Sequence, residues 1–470
     1  MSQDWVGIVL AAGQGTRMKS ATPKVLHAIA GRPLVAWAVG AALEAGAREC
    51  VVVVGHGRDA VKTALHARFG ERVRFAVQEE QNGTGHAVRC ALEQALPDYA
   101  GTVVISYGDC PLLTAETLRR LVHARGDAPL ALVTAMLPDP TGYGRMIRKD
   151  GRVIAIREHK DCNETQRAIR EVNPGLYAID TTFLREAIAG LDTNNAQGEL
   201  YLTDVVAAAA KQAHVADVPG DMSELRGVND RYELALCGEV IRRRIAETLA
   251  RSGVGVIDPA TTYVDADCVV EPDVTLEPNV HLRGACVVRA GAHVETGCVL
   301  TNVLVDEGAH LKPYSVATDS RIGPRADVGP FTHLRPQTEL HEGAKVGNFC
   351  ETKKTIVGPH SKVNHLAYVG DGILGEGVNV GAGTIFCNYD GFRKHTTILE
   401  DGAFIGSDSQ LVAPVRIGKG AYVASGSTIT KDVPDDGLAM SRTKQVNKEG
   451  YASKLKARFA VDAKKKHEHG

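Results

Sequence analysis

Apolar residues follow two different rhythms along the chain, and the change between them comes near residue 253. Up to about residue 229, short apolar runs alternate with stretches of helical character: "VGIVL" at 6–10, "VVVVG" at 51–55, "RFAVQ" at 74–78 and "TVVISYGD" at 102–109. Such alternation predicts an α/β domain, a mostly parallel sheet with helices on its faces. Residues 230–252 then place Leu234, Ile241, Ile245 and Leu249 on one helical stripe, so a long linker helix is expected there.

Beyond 253 the spacing becomes six. Aliphatic residues stand at Val264, Val270, Leu276, Leu282, Val288, Val294 and Leu300, again at Ile322, Val328, Leu334, Leu340 and Val346, at Val357, Val363 and Val369, and at Ile405, Leu411, Ile417, Val423 and Ile429. No α-helix keeps that register. A hexapeptide repeat of short strands and tight turns builds a parallel β-helix, each coil burying its aliphatic row against the next. The same period accounts for three of the ten cysteines. Cys268, Cys286 and Cys298 lie two residues before members of the row, at the phase held elsewhere by Val274, Val280 and Ala292, and read as small interior fillers. No C-x-x-C pair occurs, so neither a disulfide framework nor a cysteine metal site is expected.

Composition narrows the picture further. A chain of 470 residues is too long for one ordinary core, and the expected division is 1–229, a helix over 230–252, and 253–470. With 54 basic and 56 acidic residues the formal charge is −2, which argues against broad electrostatic binding to nucleic acid or an anionic membrane. The N-terminal "MSQDWVGIVLAAG" has no basic leader, and no run approaches the ~18 apolar residues of a membrane span. A cytoplasmic protein is expected. The basic tail "AKKKHEHG" reads as a solvated charge run.

Candidate chemistry begins where the first strand ends, the place at which open α/β sheets bind ligands. There "LAAGQGTRMKSATPK" at 10–24 combines Gly13 and Gly15, whose bare backbone lets N–H groups approach phosphates, with the cations Arg17, Lys19 and Lys24. The pattern is neither G-x-x-x-x-G-K-[ST] nor G-x-G-x-x-G, which leaves a P-loop ATPase and a nicotinamide dehydrogenase poorly supported. Asp109 follows its apolar strand after two loop residues, within reach of a phosphate-bound Mg²⁺. In the second half the histidines are His281, His293, His310, His333, His341, His360, His365 and His395; residue type alone selects none, and no spacing compels a zinc trio.

The segments "LAAGQGTRM…PKVL", "QNGTGHA", "YGDCPLL", "DPTGYGRMIR", "EHKD", "NAQGELYLTD" and "GVNDR", followed by hexapeptide repeats, resemble the bacterial bifunctional GlmU family over essentially the whole chain. The resemblance implies a Rossmann-like nucleotidyltransferase domain, a linker helix and a left-handed parallel β-helix. It implies two activities: acetyl transfer from acetyl-CoA to glucosamine 1-phosphate, then Mg²⁺-dependent uridylyl transfer from UTP to N-acetylglucosamine 1-phosphate. By resemblance, Leu10, Ala11, Ala12, Gly13, Arg17 and Lys24 line the UTP site, Gln78, Gly83 and Thr84 read uracil, Tyr107 and Gly108 flank the nucleotide, and Gly144, Glu158, Asn173 and Asn229 hold the sugar phosphate. Asp109 and Asn229 match the family's Mg²⁺ ligands. His365 in "KVNHLAYVGDG" matches its catalytic base, with Glu351 as the expected acidic partner of the ring. Arg335, Lys353, Tyr368 and Asn379 match its glucosamine-1-phosphate contacts. Ala382, Asn388, Tyr389, Ser407, Ser425 and Arg442 match its acetyl-CoA contacts, with Ser407 or backbone N–H groups facing the oxyanion. Association as a homotrimer is also implied, and "CNYDGFRKH", which breaks the six-residue register, is expected to extrude as a loop closing a site between subunits. Three departures from the family pattern are Asn82 in the uracil loop, Pro174 after Asn173, and "SRTKQ" at 441–445.

Two rivals remain at this point. A single-activity sugar-phosphate nucleotidyltransferase with a structural or regulatory β-helix leaves Arg335, Lys353, His365, Tyr368 and Asn388 without a purpose. A non-catalytic hexapeptide scaffold leaves "LAAGQGTRM", "YGD" and "GVNDR" unexplained.

Overall fold

The computed structural model describes residues 4–467, with side chains as far as residue 461, so the side chains of the basic tail lie outside the described residues. The chain divides into two compact units, Met1–Cys268 with His281–Ala285, and Val269–Val280 with Cys286–Gly470.

In the first unit the central strand Trp5–Ala11 is buried along its whole length. Its residues alternate between two apolar layers. Val9 and Ala11 face one, while Val6, Ile8 and Leu10 face the other. A strand that buries both faces needs an unbroken apolar run. On one side it pairs in parallel with Cys50–Val54, which pairs in parallel with Val73–Val77; on the other it pairs in parallel with Thr102–Tyr107. The chain thus winds outward in one direction and then restarts in the other. The crevice at this reversal lies beyond the carboxyl ends of Trp5–Ala11 and Thr102–Tyr107. Beyond it the sheet turns antiparallel through Tyr177–Asp180 and Leu130–Met136.

The expected linker helix is Arg231–Arg251. Asp230 caps it, accepting from Glu233 N at 2.8 Å, a bond that satisfies one of the otherwise unpaired first-turn N–H groups. Cys237 and Ile241 are buried against Met18, Ile29, Leu34, Leu112 and Val228, with Leu234 and Ile245 half-buried beside them.

The second unit is a parallel β-helix. Successive coils pair residue on residue, as in Leu276 with Val294, Val288 with Val305, and Ile322 with Leu340. Every aliphatic residue of the six-spaced series is buried. So are Cys286 and Cys298, at the small-residue phase, while Cys268, expected in the same interior phase, is only half-buried. The row does not lapse between Leu300 and Ile322. Val305, Leu311 and Ala317 fill it, reached through a five-residue step that shortens the coil from 18 residues to 17. Among the described residues no helix is long and apolar enough to cross a membrane.

Candidate active sites

The reversal crevice of the first unit holds a cavity of about 250 Å³. Leu10, Ala11, Ala12, Gly13, Lys24, Gln78, Gly83, Thr84, Tyr107 and Asp109 all line it. A Cβ at Gly13 would meet no protein atom, so its bareness opens onto this space. Gly15 has a different reason. Its φ is +61°, and a Cβ there would run into the side chain of Lys24, so this glycine serves the turn and the seating of Lys24 rather than direct phosphate approach. Gly83 has φ +98°, and a Cβ would come within 2.6 Å of the Leu200 carbonyl. Its own carbonyl accepts from Gln78 Nε2 at 3.1 Å, which fixes the buried Gln78 amide toward the cavity loop. Gly108 N donates to Leu10 O at 2.9 Å, tying together the ends of the two strands.

Asn82 does not intrude. Its side chain is exposed, donating to Glu80 Oε2 at 3.2 Å, while its carbonyl accepts from Leu200 N.

A second cavity, of about 240 Å³, shares Thr84, Tyr107 and Glu199 with the first and is lined by Gly144, Glu158 and Asn173. Glu158 is half-buried and accepts from Thr203 Oγ1 at 3.0 Å. Burial raises its pKa, and the Thr203 hydrogen bond opposes the rise. Asn173 Oδ1 accepts from Tyr177 Oη at 2.6 Å and Gly175 N at 3.0 Å, and its Nδ2 donates to Val133 O, so the amide is held by the sheet behind it. Pro174 lines this cavity as well.

The oxygen donors and the cations of the first unit meet in pairs. Lys24 Nζ lies against Asp109 Oδ2, and Arg17 Nη2 donates to Asn229 Oδ1 at 2.8 Å. Asp109 and the segment before Asn229 are joined by Val228 N donating to Asp109 O at 2.8 Å. Asp109 lines the crevice, while Asn229 lines a neighbouring cavity with Gly227 and Glu233; a carboxylate and an amide oxygen are both hard donors of the kind Mg²⁺ takes.

In the second unit His365 ends the strand Lys362–His365 and Tyr368 opens Tyr368–Gly370, so the two flank one corner of a coil. The same corner of the following coils carries Ala382, Ser407 and Ser425. Asp408 N donates to Ala382 O at 2.7 Å, Gly426 N to Ser407 O at 2.8 Å, and Arg442 Nη1 to Ser425 O at 2.8 Å. Arg442 thus reaches the corner despite the "SRTKQ" departure. Asn379 opens the strand leading into it, paired with Lys362 and Phe404.

The expected partner of His365 is corrected. His365 Nδ1 pairs with Asn348 Oδ1 at 2.8 Å, whereas Glu351 holds Arg335 Nη1 at 2.6 Å. Coil register is the reason. The residue directly across from His365 is Asn348, one 17-residue coil earlier, while Glu351 sits across from Tyr368.

Arg335 and Lys353 lie on adjacent coils, and Lys394 joins them from the loop. Lys394, then Arg335, pushes the Lys353 pKa down, a sign of cations crowded together. Lys394 was not singled out in the sequence, because "CNYDGFRKH" lies outside the repeat register. The loop does extrude: Tyr389 bridges Lys394, and Phe392 is 93% exposed. Asp390 organises it, accepting from Phe392 N and Arg393 N and pairing with His395 Nε2 at 2.7 Å, which hold its carboxyl down at about 2. At the loop base Asn388 is buried and donates to Asp371 Oδ2 at 2.6 Å, while Tyr389 is exposed. Glu199 and Thr203 were also missed as individuals, although both lie in the quoted "NAQGELYLTD".

The MobA-like NTP transferase domain family matches residues 7–171, and the bacterial transferase hexapeptide (six repeats) matches 396–431. Fold and sites together define a nucleotidyltransferase joined in one chain to a hexapeptide acyltransferase. The bifunctional protein GlmU of Sorangium cellulosum (strain So ce56) is 57% identical over 466 residues, which cover 97% of this chain and 98% of that one. Those of Anaeromyxobacter sp. (strain Fw109-5) and Trichlorobacter lovleyi are 51% and 48% identical, covering 96% and 95% of this chain and 93% and 98% of theirs. The chain belongs to the bifunctional GlmU family. It is a bifunctional transferase, with nucleotidyltransferase and acetyltransferase activities that serve UDP-N-acetylglucosamine synthesis.

Proposed function

We propose that the first unit transfers uridylyl from UTP to N-acetylglucosamine 1-phosphate at the reversal crevice, and that the second acetylates glucosamine 1-phosphate at the His365 corner. The observation that carries the first reading is the Lys24–Asp109 pair in the wall of a cavity lined by residues 10–13, 78, 83 and 84, with Asn229, paired to Arg17, tied to it through the bond from Val228 N to Asp109 O. In it the uracil is read by Gln78, Gly83 and Thr84, with Leu10, Ala11, Ala12 and Gly13 along the nucleotide and Tyr107 and Gly108 flanking it. Asp109 and Asn229 hold Mg²⁺, which when bound supplies positive charge to the phosphate oxygens. The sugar phosphate, held by Gly144, Glu158 and Asn173, is already an anion and needs no strong base. Its oxygen attacks the α-phosphorus in line, the bond to the β-phosphate breaks, and pyrophosphate leaves. Lys24 and Arg17 stabilise the charge that builds on the departing group.

At the second site the attacking amine must lose a proton. Asn348 Oδ1 accepts from Nδ1–H of His365, which leaves Nε2 free to take that proton as the amine nitrogen bonds to the thioester carbonyl carbon. The carbon–sulfur bond then breaks and CoA leaves as the thiol, taking the proton from His365. The phosphate of glucosamine 1-phosphate meets the crowded cations Arg335, Lys353 and Lys394, with Tyr368 and Asn379 on its sugar. Acetyl-CoA runs along the corner marked by Ala382, Ser407, Ser425 and Arg442, with Asn388 and Tyr389 at the loop. Neighbouring coils lie ~4.8 Å apart, so this file is long enough to guide an extended thioester arm. Acetylation precedes uridylylation.

A cytoplasmic homotrimer is the form proposed. Supporting it, Tyr314, Phe331 and Phe349 stack at 5.4 and 5.5 Å along one corner, each at positive φ and half exposed, and Leu366 continues the strip beside His365. Exposed apolar strips of this kind mark protein contacts. The deciding experiment measures both activities in three variants. Lys24→Ala and Asp109→Ala should abolish UDP-sugar formation and spare acetyl transfer, and His365→Ala should do the reverse. Near-normal uridylyl transfer in either of the first two, or near-normal acetylation in the third, would refute the assignment for that unit.

A further inference from the structure

We propose that the flank of the β-helix carries a divalent transition-metal site, formed by His293, Glu295 and His310 with Glu277 completing it. None of these residues belongs to the two transferase sites. His293 and His310 stand directly across from each other on adjacent coils, and their rings stack at 5.2 Å and 10°. Glu295 lies two residues after His293, so both side chains leave the same face of the strand. One ligand atom from each of His293, Glu295 and His310 falls within 4.8 Å of the others. His293 Nε2 meets Glu277 Oε1 at 3.1 Å, and His310 Nε2 lies against Glu295 Oε1.

Two imidazoles and two carboxylates make a mixed nitrogen and oxygen donor set. Imidazole suits Zn²⁺, Co²⁺ and Ni²⁺ and gives Mg²⁺ little, so this site and the all-oxygen pair Asp109 and Asn229 select different ions. Tetrahedral Zn²⁺ with bonds near 2.0–2.1 Å needs ligand atoms about 3.3 Å apart. Closing from 4.8 Å to that distance would require the side chains to turn toward a common point. The four side chains are 22–42% exposed, leaving them room to turn and the ion a path in. The carboxylates are already aimed at the imidazole nitrogens, and a metal would take the place of the shared protons. Bound there, the ion would clip together three successive coils, those of Glu277, of His293 and Glu295, and of His310.

The test uses the full chain stripped by chelator and titrated with Zn²⁺ alone, beside the double variant His293→Gln/His310→Gln. Comparing the two removes any Zn²⁺ taken up by Asp109 or by thiols, which both proteins keep. The wild type should bind one more Zn²⁺ per chain than the double variant. Each single variant should weaken that event at least about tenfold. Co²⁺ should give visible absorption bands in the wild type that the double variant lacks. Equal stoichiometry and affinity in the two proteins, or cobalt spectra that do not differ, would overturn the proposal. Both transferase activities, which these side chains do not serve, report that the variants fold. Glu295→Gln supplies a further variant should the histidine changes disturb the coils, and unaltered Zn²⁺ affinity in it would equally count against the site.

Discussion

At the scale of single residues, Glu158, the proposed sugar-phosphate contact, sets function against stability. Burial raises its pKa from an ordinary 4.5, so the folded protein penalises the ionised carboxylate that a sugar site uses at neutral pH. For a carboxyl whose folded pKa lies above its unfolded value, the penalty grows as pH rises through the unfolded value and is complete above the folded one. Glu158→Gln should therefore melt higher than the wild type near pH 7, the advantage shrinking to nothing below about pH 4. The same change should raise KM for N-acetylglucosamine 1-phosphate by about tenfold or more, the cost of losing a charge-assisted hydrogen bond. Thermal melts across pH and steady-state kinetics check the two halves separately. Other residues show where sequence reading stopped. Asn348 rather than Glu351 meets His365 because Asn348 lies one full coil before it, whereas Glu351, closer in sequence, falls short of a coil and sits across from Tyr368. Lys394 was hidden for a related reason, since a loop outside the period has no register from which a partner can be counted.

At the scale of elements, the coil is legible because its physics is repetitive. A row that must be buried every sixth residue leaves its mark in the sequence, and every residue of that row is buried. The five-residue steps were not legible, since one shortened turn costs the row nothing when the aliphatic side chain still lands inside, as Val305 and Ile322 do. The corner beside His365 depends on close stacking of backbone. A Cβ on Gly406 would come 2.5 Å from Ser425 N, and one on Gly381 2.5 Å from Ser407 N. These glycines are required by approach, not by left-handed backbone. Gly406→Ala should thus destabilise the β-helix by about 1–3 kcal/mol, as overpacking does. Because the strain falls between Ser407 and Ser425, KM for acetyl-CoA should rise while UDP-sugar formation stays unchanged. A melt paired with assays of both activities checks this, and an unchanged acetyl-CoA KM would mean that this corner does not carry the cofactor.

At the scale of the whole molecule, the two halves place their chemistry by different means. The first unit puts a cleft where its sheet reverses, and a single chain builds that cleft in full. The second unit puts its predicted base on an open corner beside a column of exposed aromatics that a lone β-helix leaves uncovered: Tyr314, Phe331 and Phe349, with Leu366 following His365. Each of the four residues has a positive φ, strained for a side chain of this size, which points the column outward at some cost to the monomer. Burying the column against copies of the same chain would remove it from water and enclose His365 at once. The double change Phe331→Asp/Phe349→Asp places like charges at successive coils of that corner, where a closed symmetric contact would repeat them in every subunit. It should convert the proposed trimer to monomer in sedimentation analysis and reduce acetyl transfer by at least about a hundredfold, through loss of site enclosure and subunit contacts. Uridylyl transfer, built within one chain, should survive. A variant that stays trimeric, or a monomer that still acetylates at the normal rate, would separate the aromatic column from assembly or assembly from catalysis.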